Sequence, residues 1–235
     1  MSGVRRHVFP WIAALFAAAA ALAGSVRAGD PPPASAEAAS ASADAATPPP
    51  APTPPVPPAV GEALPASLTL RALPPAGTAP AEAAVEVPWA ELAGDPAIPV
   101  VLVFWSSRCP VSARYGATLA RLADEFAGRA RFVLVASGAD ETPDAVRRAV
   151  EPLRLRAPVY LDTERLAARR LGIRVTPTAF VVDTARALRY RGPLDDDRRM
   201  RPREARELVR PALAALLADK PVETPEVRAF GCALR

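Results

Sequence analysis

The chain has 235 residues, of which 50% are hydrophobic and only 6% aromatic, and 29 of its residues are proline. This composition indicates a globular domain diluted by non-globular sequence. The formal net charge of +4 falls to +1 beyond residue 28, because Arg5, Arg6 and Arg27 precede that point. A nearly balanced charge gives no electrostatic basis for binding nucleic acid, and we expect no nucleic-acid partner.

Histidine occurs only once, as His7, within a segment that we expect to be removed. A mature chain without histidine excludes Ser-His-Asp and Cys-His catalysis and imidazole metal ligands. The two cysteines, Cys109 and Cys232, are too few and too far apart in sequence to indicate a zinc site. We therefore predict no metal site and no cofactor, and chemistry that depends on thiols, carboxylates, hydroxyls or arginines.

The first 28 residues have the order of a secretory signal. A basic start (residues 1–9) precedes an apolar run of 13 residues (11–23), and the small residue Ala28 follows Arg27. We predict cleavage after Ala28 and export, to the periplasm or another extracytoplasmic location in a bacterium. The alternative is an uncleaved anchor that holds the protein at the membrane, although the apolar run is shorter than the roughly 20 residues of a spanning helix.

Residues 29–83 are rich in Pro, Ala, Ser and Thr, and 15 of the 29 prolines lie between Pro31 and Pro80. Proline lacks the N–H that helices and sheets require, so we predict a disordered, semi-rigid linker. Two alternatives stay open for parts of this segment. One is a docking motif for a proline-binding partner, and the other is a peripheral strand at residues 68–73, where apolar residues alternate.

Residues 84–235 have the pattern of one folded domain. Continuous apolar runs predict buried strands at residues 99–105 and 131–136, and shorter strands are expected at 158–162, 178–183 and 188–191. Helical spacing predicts helices over residues 111–126, from 142, over 163–172, and over 205–217 with an interruption at Pro211. The order β-α-β-α-β-α-β-β-α predicts an α/β domain with a mixed central sheet and helices on both faces.

The residues around Cys109 favour a reactive thiol. Cys109 directly precedes a predicted helix that begins with Pro110, and Arg108 is adjacent. Both features favour the thiolate, which is the nucleophilic form. Ser112 is placed to hydrogen-bond this thiolate. The alternative is that Cys109 is an inert, buried cysteine at a helix start.

Three other features of the sequence have structural explanations that require no role in an active site. Tyr115 shares the apolar face of the predicted helix, so we expect it in the core rather than in catalysis. The acidic run at residues 195–197 is expected to be a solvated turn rather than a cation site. Pro177 by itself indicates only the entrance of a strand.

Two segments resemble the thioredoxin-like redoxin family. Residues 103–112 (VFWSSRCPVS) resemble its active-site segment, where a buried strand ends in a loop and a cysteine opens a helix. Residues 172–180 (GIRVTPTAF) resemble its cis-proline segment, which folds back to face the cysteine. Residues 188–196 and the ending at 230–232 resemble exported bacterial redoxins. The resemblance covers residues 84–235 and implies the thioredoxin-like three-layer fold.

The resemblance also implies a site in which Cys109 is the catalytic nucleophile and the main chain of Thr176 pairs with an extended substrate. The other residues assigned to this site are Arg108 and Ser112 beside the thiolate, and Trp105 and a cis Pro177 in substrate binding. The sequence departs from the family at Ser112, where most members have a second cysteine. It also has Leu102 and Ser106 where peroxiredoxins have Pro and Thr, which disfavours a peroxidase.

The function favoured by these residues is that of an exported thiol–disulfide oxidoreductase. Its partners would be a protein or small-molecule thiol or disulfide and an external reductant. The alternatives are a non-catalytic binding module with the same fold and a divergent thiol peroxidase. Because Ser112 cannot resolve a mixed disulfide, Cys232 is the only internal residue that can, and we predict that it pairs with Cys109. The alternative is a free or intermolecular Cys232.

Overall fold

The computed structural model describes residues 56–77, 85–199, 201 and 205–234. The predicted signal segment and the first part of the predicted linker lie outside the described residues. The helices and strands are, in chain order, β1 (Thr69–Ala72), β2 (Glu86–Pro88), α1 (Trp89–Ala93), β3 (Val100–Trp105), α2 (Pro110–Arg114), α3 (Gly116–Glu125), β4 (Arg131–Ser137), α4 (Pro143–Val150), β5 (Val159–Asp162), α5 (Leu166–Arg170), β6 (Val175–Thr176), β7 (Thr178–Val182), β8 (Leu188–Gly192), α6 (Val209–Leu217) and β9 (Cys232–Ala233).

Seven of these strands form one mixed sheet, in the order β2-β1-β5-β4-β3-β7-β8. The three central strands β3, β4 and β5 run parallel, whereas β1, β2, β7 and β8 are added antiparallel. Parallel strands need helical crossovers, which α2–α3 and α4 supply on one face of the sheet. The two remaining strands, β6 and β9, form a separate antiparallel pair.

The sheet is covered by helices on both faces. Along β3, Val101 and Val103 pack on the side of α3, α4 and α6, while Leu102 and Phe104 pack on the side of α1 and α5. All six side chains of β3 are buried, because a central parallel strand has helices above and below it. The predicted fold class, an α/β domain with a mixed sheet between two helical layers, is confirmed.

The packed domain begins earlier than residue 84. Strand β1 lies between β2 and β5 and is hydrogen-bonded to both, and Leu64, Leu68 and Leu70 are buried in the core below α1 and α5. These residues therefore belong to the domain and not to a linker. The alternating apolar pattern of residues 68–73 did predict a strand, but β1 is an inner strand of the sheet and not a peripheral one.

Two predicted helices have different bounds in the structure. The helix expected over residues 111–126 is divided at Tyr115 into α2 and α3. The last helix begins at Val209, which places Pro211 in its first turn. A proline is tolerated there because the first turn has no intrahelical acceptor for its missing N–H.

Asp162 determines where α5 begins. Its carboxylate accepts hydrogen bonds from the N–H groups of Ala167 (3.1 Å) and Ala168 (2.9 Å) and from the hydroxyl of Ser137 (2.9 Å). Burial raises the pKa of Asp162 above its usual value, although these three donors act in the opposite direction. The helix consequently starts at Leu166 and not at Thr163 as expected.

Candidate active site

Cys109 lies where the loop after β3 meets the first turn of α2. It is the N-cap residue of α2, Pro110 is the first helical residue, and the N–H of Ser112 points to the Cys109 Sγ at 3.4 Å. Only 2% of Cys109 is exposed. Cys109 therefore lies at the start of a helix, as expected, and a main-chain N–H is directed at its sulfur.

A disulfide joins Cys109 to Cys232 across 123 positions of the sequence, with the two Cα atoms 5.8 Å apart. The pairing expected from the sequence is thus present in the structure. Strand β9, which contains Cys232, reaches this place by pairing with β6. Cys232 is only partly buried, so it is the more exposed of the two cysteine residues.

The Thr176–Pro177 peptide bond is cis, as expected. It places the carbonyl oxygen of Thr176 3.3 Å from the Cys109 Sγ. Thr176 also lies opposite Cys232 in the β6–β9 pair, and the N–H of Leu234 donates to the carbonyl of Arg174 at 2.9 Å. The main chain beside the cysteine therefore pairs with the protein's own C-terminal segment.

Ser112 was predicted to hydrogen-bond the Cys109 thiolate, and the structure differs from this prediction in one detail. Its side chain is fully buried, and its Oγ accepts a hydrogen bond from the N–H of Ser106 at 3.3 Å. The contact with the Cys109 sulfur comes from the main-chain N–H of Ser112, not from the hydroxyl. Ser112 thus holds the loop that carries Cys109.

Arg108 is exposed, and its Nε donates to the carbonyl oxygen of Asp140 at 3.3 Å. It borders a shallow cavity of about 180 Å³ that also includes Cys109, Thr176, Cys232 and Glu141 in its lining. The guanidinium is therefore at the rim of the site, directed at the loop between β4 and α4.

Trp105 does not contribute to a binding surface as the resemblance implied. Only 1% of it is exposed, and it packs in the core on the side of α3 and α6. As the last residue of β3, it packs at the interface between the sheet and these helices. With this burial, the structure gives no support to the implied role of Trp105 in contacting a substrate.

Glu141 is a residue that the sequence analysis missed. Its carboxylate accepts hydrogen bonds from both the N–H (2.8 Å) and the hydroxyl (2.6 Å) of Ser107, and it is 95% buried, with an exposed fraction of 5%. These bonds connect the Cys109 loop to the loop after β4. No local pattern marks this residue, because its partner lies 34 positions away.

The acidic run is only partly a solvated turn, because Asp196 is exposed whereas Asp197 is buried. Arg114 donates to the Asp197 carboxylate at 2.6 Å, and the hydroxyl of Tyr115 donates to Asp195. Burial raises the pKa of Tyr115, and the hydrogen bond to Asp195 adds to this effect. Tyr115 is in the core, as predicted, and this network connects the junction of α2 and α3 to the segment after β8.

Asp197 should make the stability of the protein depend on pH. Burial opposes its ionisation, but the N–H of Arg201 and the guanidinium of Arg114 outweigh this and hold the pKa of Asp197 below its usual value of 3.8. A carboxyl with a lowered pKa stabilises the folded state above its unfolded pKa and loses that contribution as the pH falls. Asp197→Asn is therefore expected to be less stable than the wild type near neutral pH.

This stability difference should shrink as the pH falls below about 4. Urea unfolding of both proteins between about pH 7 and pH 3 measures it. A difference that stays constant over this range would show that the charge of Asp197 is not its cause.

The described residues contain no group of three or more His, Cys, Asp or Glu side chains placed to hold a metal ion. In the same part of the chain, we find no helix with the length and apolar character required to cross a membrane.

Comparison with known proteins gives a family and a fold. The AhpC/TSA family matches residues 74–191, about half of the chain. A hypothetical protein of Sinorhizobium meliloti 1021 is 25% identical with a TM-score of 0.63, over 75% of this chain and 93% of that one. An uncharacterised conserved protein of Geobacillus kaustophilus is 23% identical with a TM-score of 0.64, over 75% and 92%. No curated protein matches the sequence.

Proposed function

The chain belongs to the AhpC/TSA family of thioredoxin-like redoxins, and we propose that it is an exported thiol–disulfide oxidoreductase. Cys109 is the proposed nucleophile and Cys232 the proposed resolving residue. The observation that carries the proposal is the disulfide between these two residues, beside the cis Pro177. Cys232 supplies the second thiol, which Ser112 cannot supply.

The proposed reaction involves the two cysteines of the protein and one substrate disulfide, and these three groups account for every bond and electron pair. The Cys109 thiolate attacks a substrate sulfur, the Cys109–substrate disulfide forms, and the first substrate thiolate leaves with the electron pair of the broken S–S bond. The Cys232 thiolate then attacks the Cys109 sulfur and releases the second substrate thiolate. The substrate is reduced, and the Cys109–Cys232 disulfide is reduced in turn by an external thiol. The reverse sequence oxidises a substrate dithiol.

One main-chain contact favours the reduced Cys109 as a thiolate, whereas its burial and the Thr176 carbonyl oxygen, 3.3 Å from its sulfur, favour the neutral thiol. The N–H of Ser112 is directed at its sulfur. The hydrogen bonds that Ser107 donates to Glu141 and that Arg108 donates to Asp140 fix the loop around it. An N–H donor stabilises negative charge on sulfur more than it stabilises a neutral thiol. The N–H of Ser112 is the contact that supports the nucleophilic role over that of an inert cysteine.

An exchange assay on the full-length protein tests the proposal. After reduction and removal of the reductant, the protein is mixed with insulin, a small-molecule disulfide or a hydroperoxide, and the loss of its thiols is followed. We expect one disulfide equivalent to be reduced per protein as the Cys109–Cys232 bond forms. Consumption of hydroperoxide alone would identify a peroxidase instead, and inertness toward all three would identify a binding module.

Export is the second part of the proposal and rests on the residue order of the first 28 positions. When the full-length gene product is made in a bacterium, we expect it outside the cytoplasm with an N-terminus near Gly29. Soluble cytoplasmic protein that still begins at Met1 or Ser2 would contradict export.

The external thiol should attack Cys232 first. Cys109 is 2% exposed whereas Cys232 is partly accessible, and exchange requires the attacking thiolate to approach the sulfur directly. Brief treatment of the oxidised protein with glutathione, followed by alkylation and peptide mapping, should place glutathione on Cys232 and the alkyl group on Cys109. Glutathione found on Cys109 would contradict this order of attack.

A further inference from the structure

The C-terminal segment lies on the site in the manner of a bound peptide. Residues 231–234, called the tail here, include β9, which runs antiparallel to β6 directly before Pro177. The tail positions its own cysteine sulfur on Cys109 and hydrogen-bonds to Arg174. An edge strand with free main-chain groups binds any extended chain in this way.

Gly231 is the position at which the tail comes closest to the site. A Cβ atom at this residue would lie 2.0 Å from the carbonyl oxygen of Thr176 and 2.8 Å from its carbonyl carbon. The φ angle of Gly231 is +149°, a conformation that residues with side chains rarely adopt. Because the obstructing atoms belong to the main chain next to Pro177, they cannot turn away as a side chain would.

The other tail positions are less restrictive. Ala233 is exposed, so a larger side chain there would extend into solvent. Leu234 packs against the core on the side of α1 and α5. Directly before the tail, the centroid of the Phe230 ring lies 5.3 Å from the guanidinium carbon of Arg198. The strict requirement of this surface is therefore for glycine directly before the reacting cysteine.

We propose that the tail occupies the place of the substrate, and that the protein selects polypeptide disulfides in which glycine directly precedes the reacting cysteine. This inference rests on the proposed function. An extended substrate beside Thr176 is already implied by the family resemblance; the tail adds the glycine requirement and direct competition between substrate and tail. A substrate segment can bind only when the Cys109–Cys232 disulfide is reduced and the tail has left β6.

Peptides with the sequence of residues 229–234 provide the test, with their cysteine linked to 2-nitro-5-thiobenzoate through a disulfide. The Cys109 thiolate attacks the peptide sulfur, the Cys109–peptide disulfide forms, and the coloured thiolate leaves with the electrons of the broken bond. Release is followed by absorbance with the reduced full-length wild type and with Cys232→Ser. Control substrates are the same peptide with alanine in place of its glycine, and glutathione carrying the same leaving group.

We expect the glycine peptide to react at least tenfold faster than either control. Equal rates for the glycine and alanine peptides, or a glutathione derivative as fast as the glycine peptide, would overturn the inference and leave the proposed function intact. Failure of all three substrates to react would instead contradict the proposed function. Because the comparison uses wild-type protein, it does not depend on how a variant folds.

A second measurement tests the glycine requirement within the chain. Gly231→Ala is expected to slow closure of the Cys109–Cys232 disulfide at least tenfold after reduction, and Ala233→Ser, at an exposed tail position, should close at the wild-type rate. The glycine peptide should react faster with Gly231→Ala than with the wild type, because the tail no longer competes. Wild-type closure kinetics in Gly231→Ala would overturn the proposed steric limit.

Discussion

Cys109→Ser is expected to lower the rate of disulfide exchange by roughly a thousandfold or more, because a serine hydroxyl is not ionised near neutral pH and cannot replace a thiolate nucleophile. Cys232→Ser is expected to behave differently. It retains the first attack, since its Cys109 is intact, but it should stop at a mixed disulfide with the substrate. The two single variants thus separate the attacking residue from the resolving residue.

The measurement is the rate of thiol release from a small disulfide, combined with mass spectrometry of the quenched protein. Cys232→Ser should accumulate the Cys109–substrate adduct, whereas the wild type should accumulate the internal disulfide. Ser112→Ala is a useful third variant, because it removes a buried hydroxyl that accepts from Ser106 while leaving the main-chain contact to Cys109. Equal activity of Cys109→Ser and wild type would disprove the role of Cys109.

Reducing the Cys109–Cys232 disulfide is expected to lower the free energy of unfolding by up to about 5 kcal/mol. The bond closes a loop between residues 123 positions apart, and in the entropic description a loop of this length restricts the unfolded chain by roughly that amount. The tail should be affected first, because β9 has only two residues and its pairing with β6 is short.

Urea unfolding with and without a reductant measures this effect. Cys232→Ser is the matched control: its stability should equal that of the reduced wild type and should not change when reductant is added. If oxidised and reduced wild type unfold at the same urea concentration, the disulfide does not stabilise the domain.

Some details of the site could not be predicted because they depend on residues that are distant in the sequence. Glu141 holds Ser107 from 34 positions away, and Asp197 holds Arg114 from 83 positions away. Neither carboxylate belongs to a motif. The burial of Trp105 was missed for a related reason: the resemblance locates a residue in a motif, while the face of the strand on which it lies depends on packing.

The sequence by itself determined the local elements and the α/β class, and its resemblance to the redoxin family indicated Cys109 and Pro177 as candidate site residues. Continuous apolar runs, helical spacing and turn residues act within a few positions, so β3, β4 and the helix start at Cys109 were readable directly. The tertiary structure alone decided two of the open alternatives, namely the strand at residues 68–73 and the pairing of Cys232. It placed β1 inside the sheet and united Cys109 with Cys232, because both depend on how strands of one sheet and its neighbouring pair are arranged in space, and local sequence preferences do not encode that arrangement.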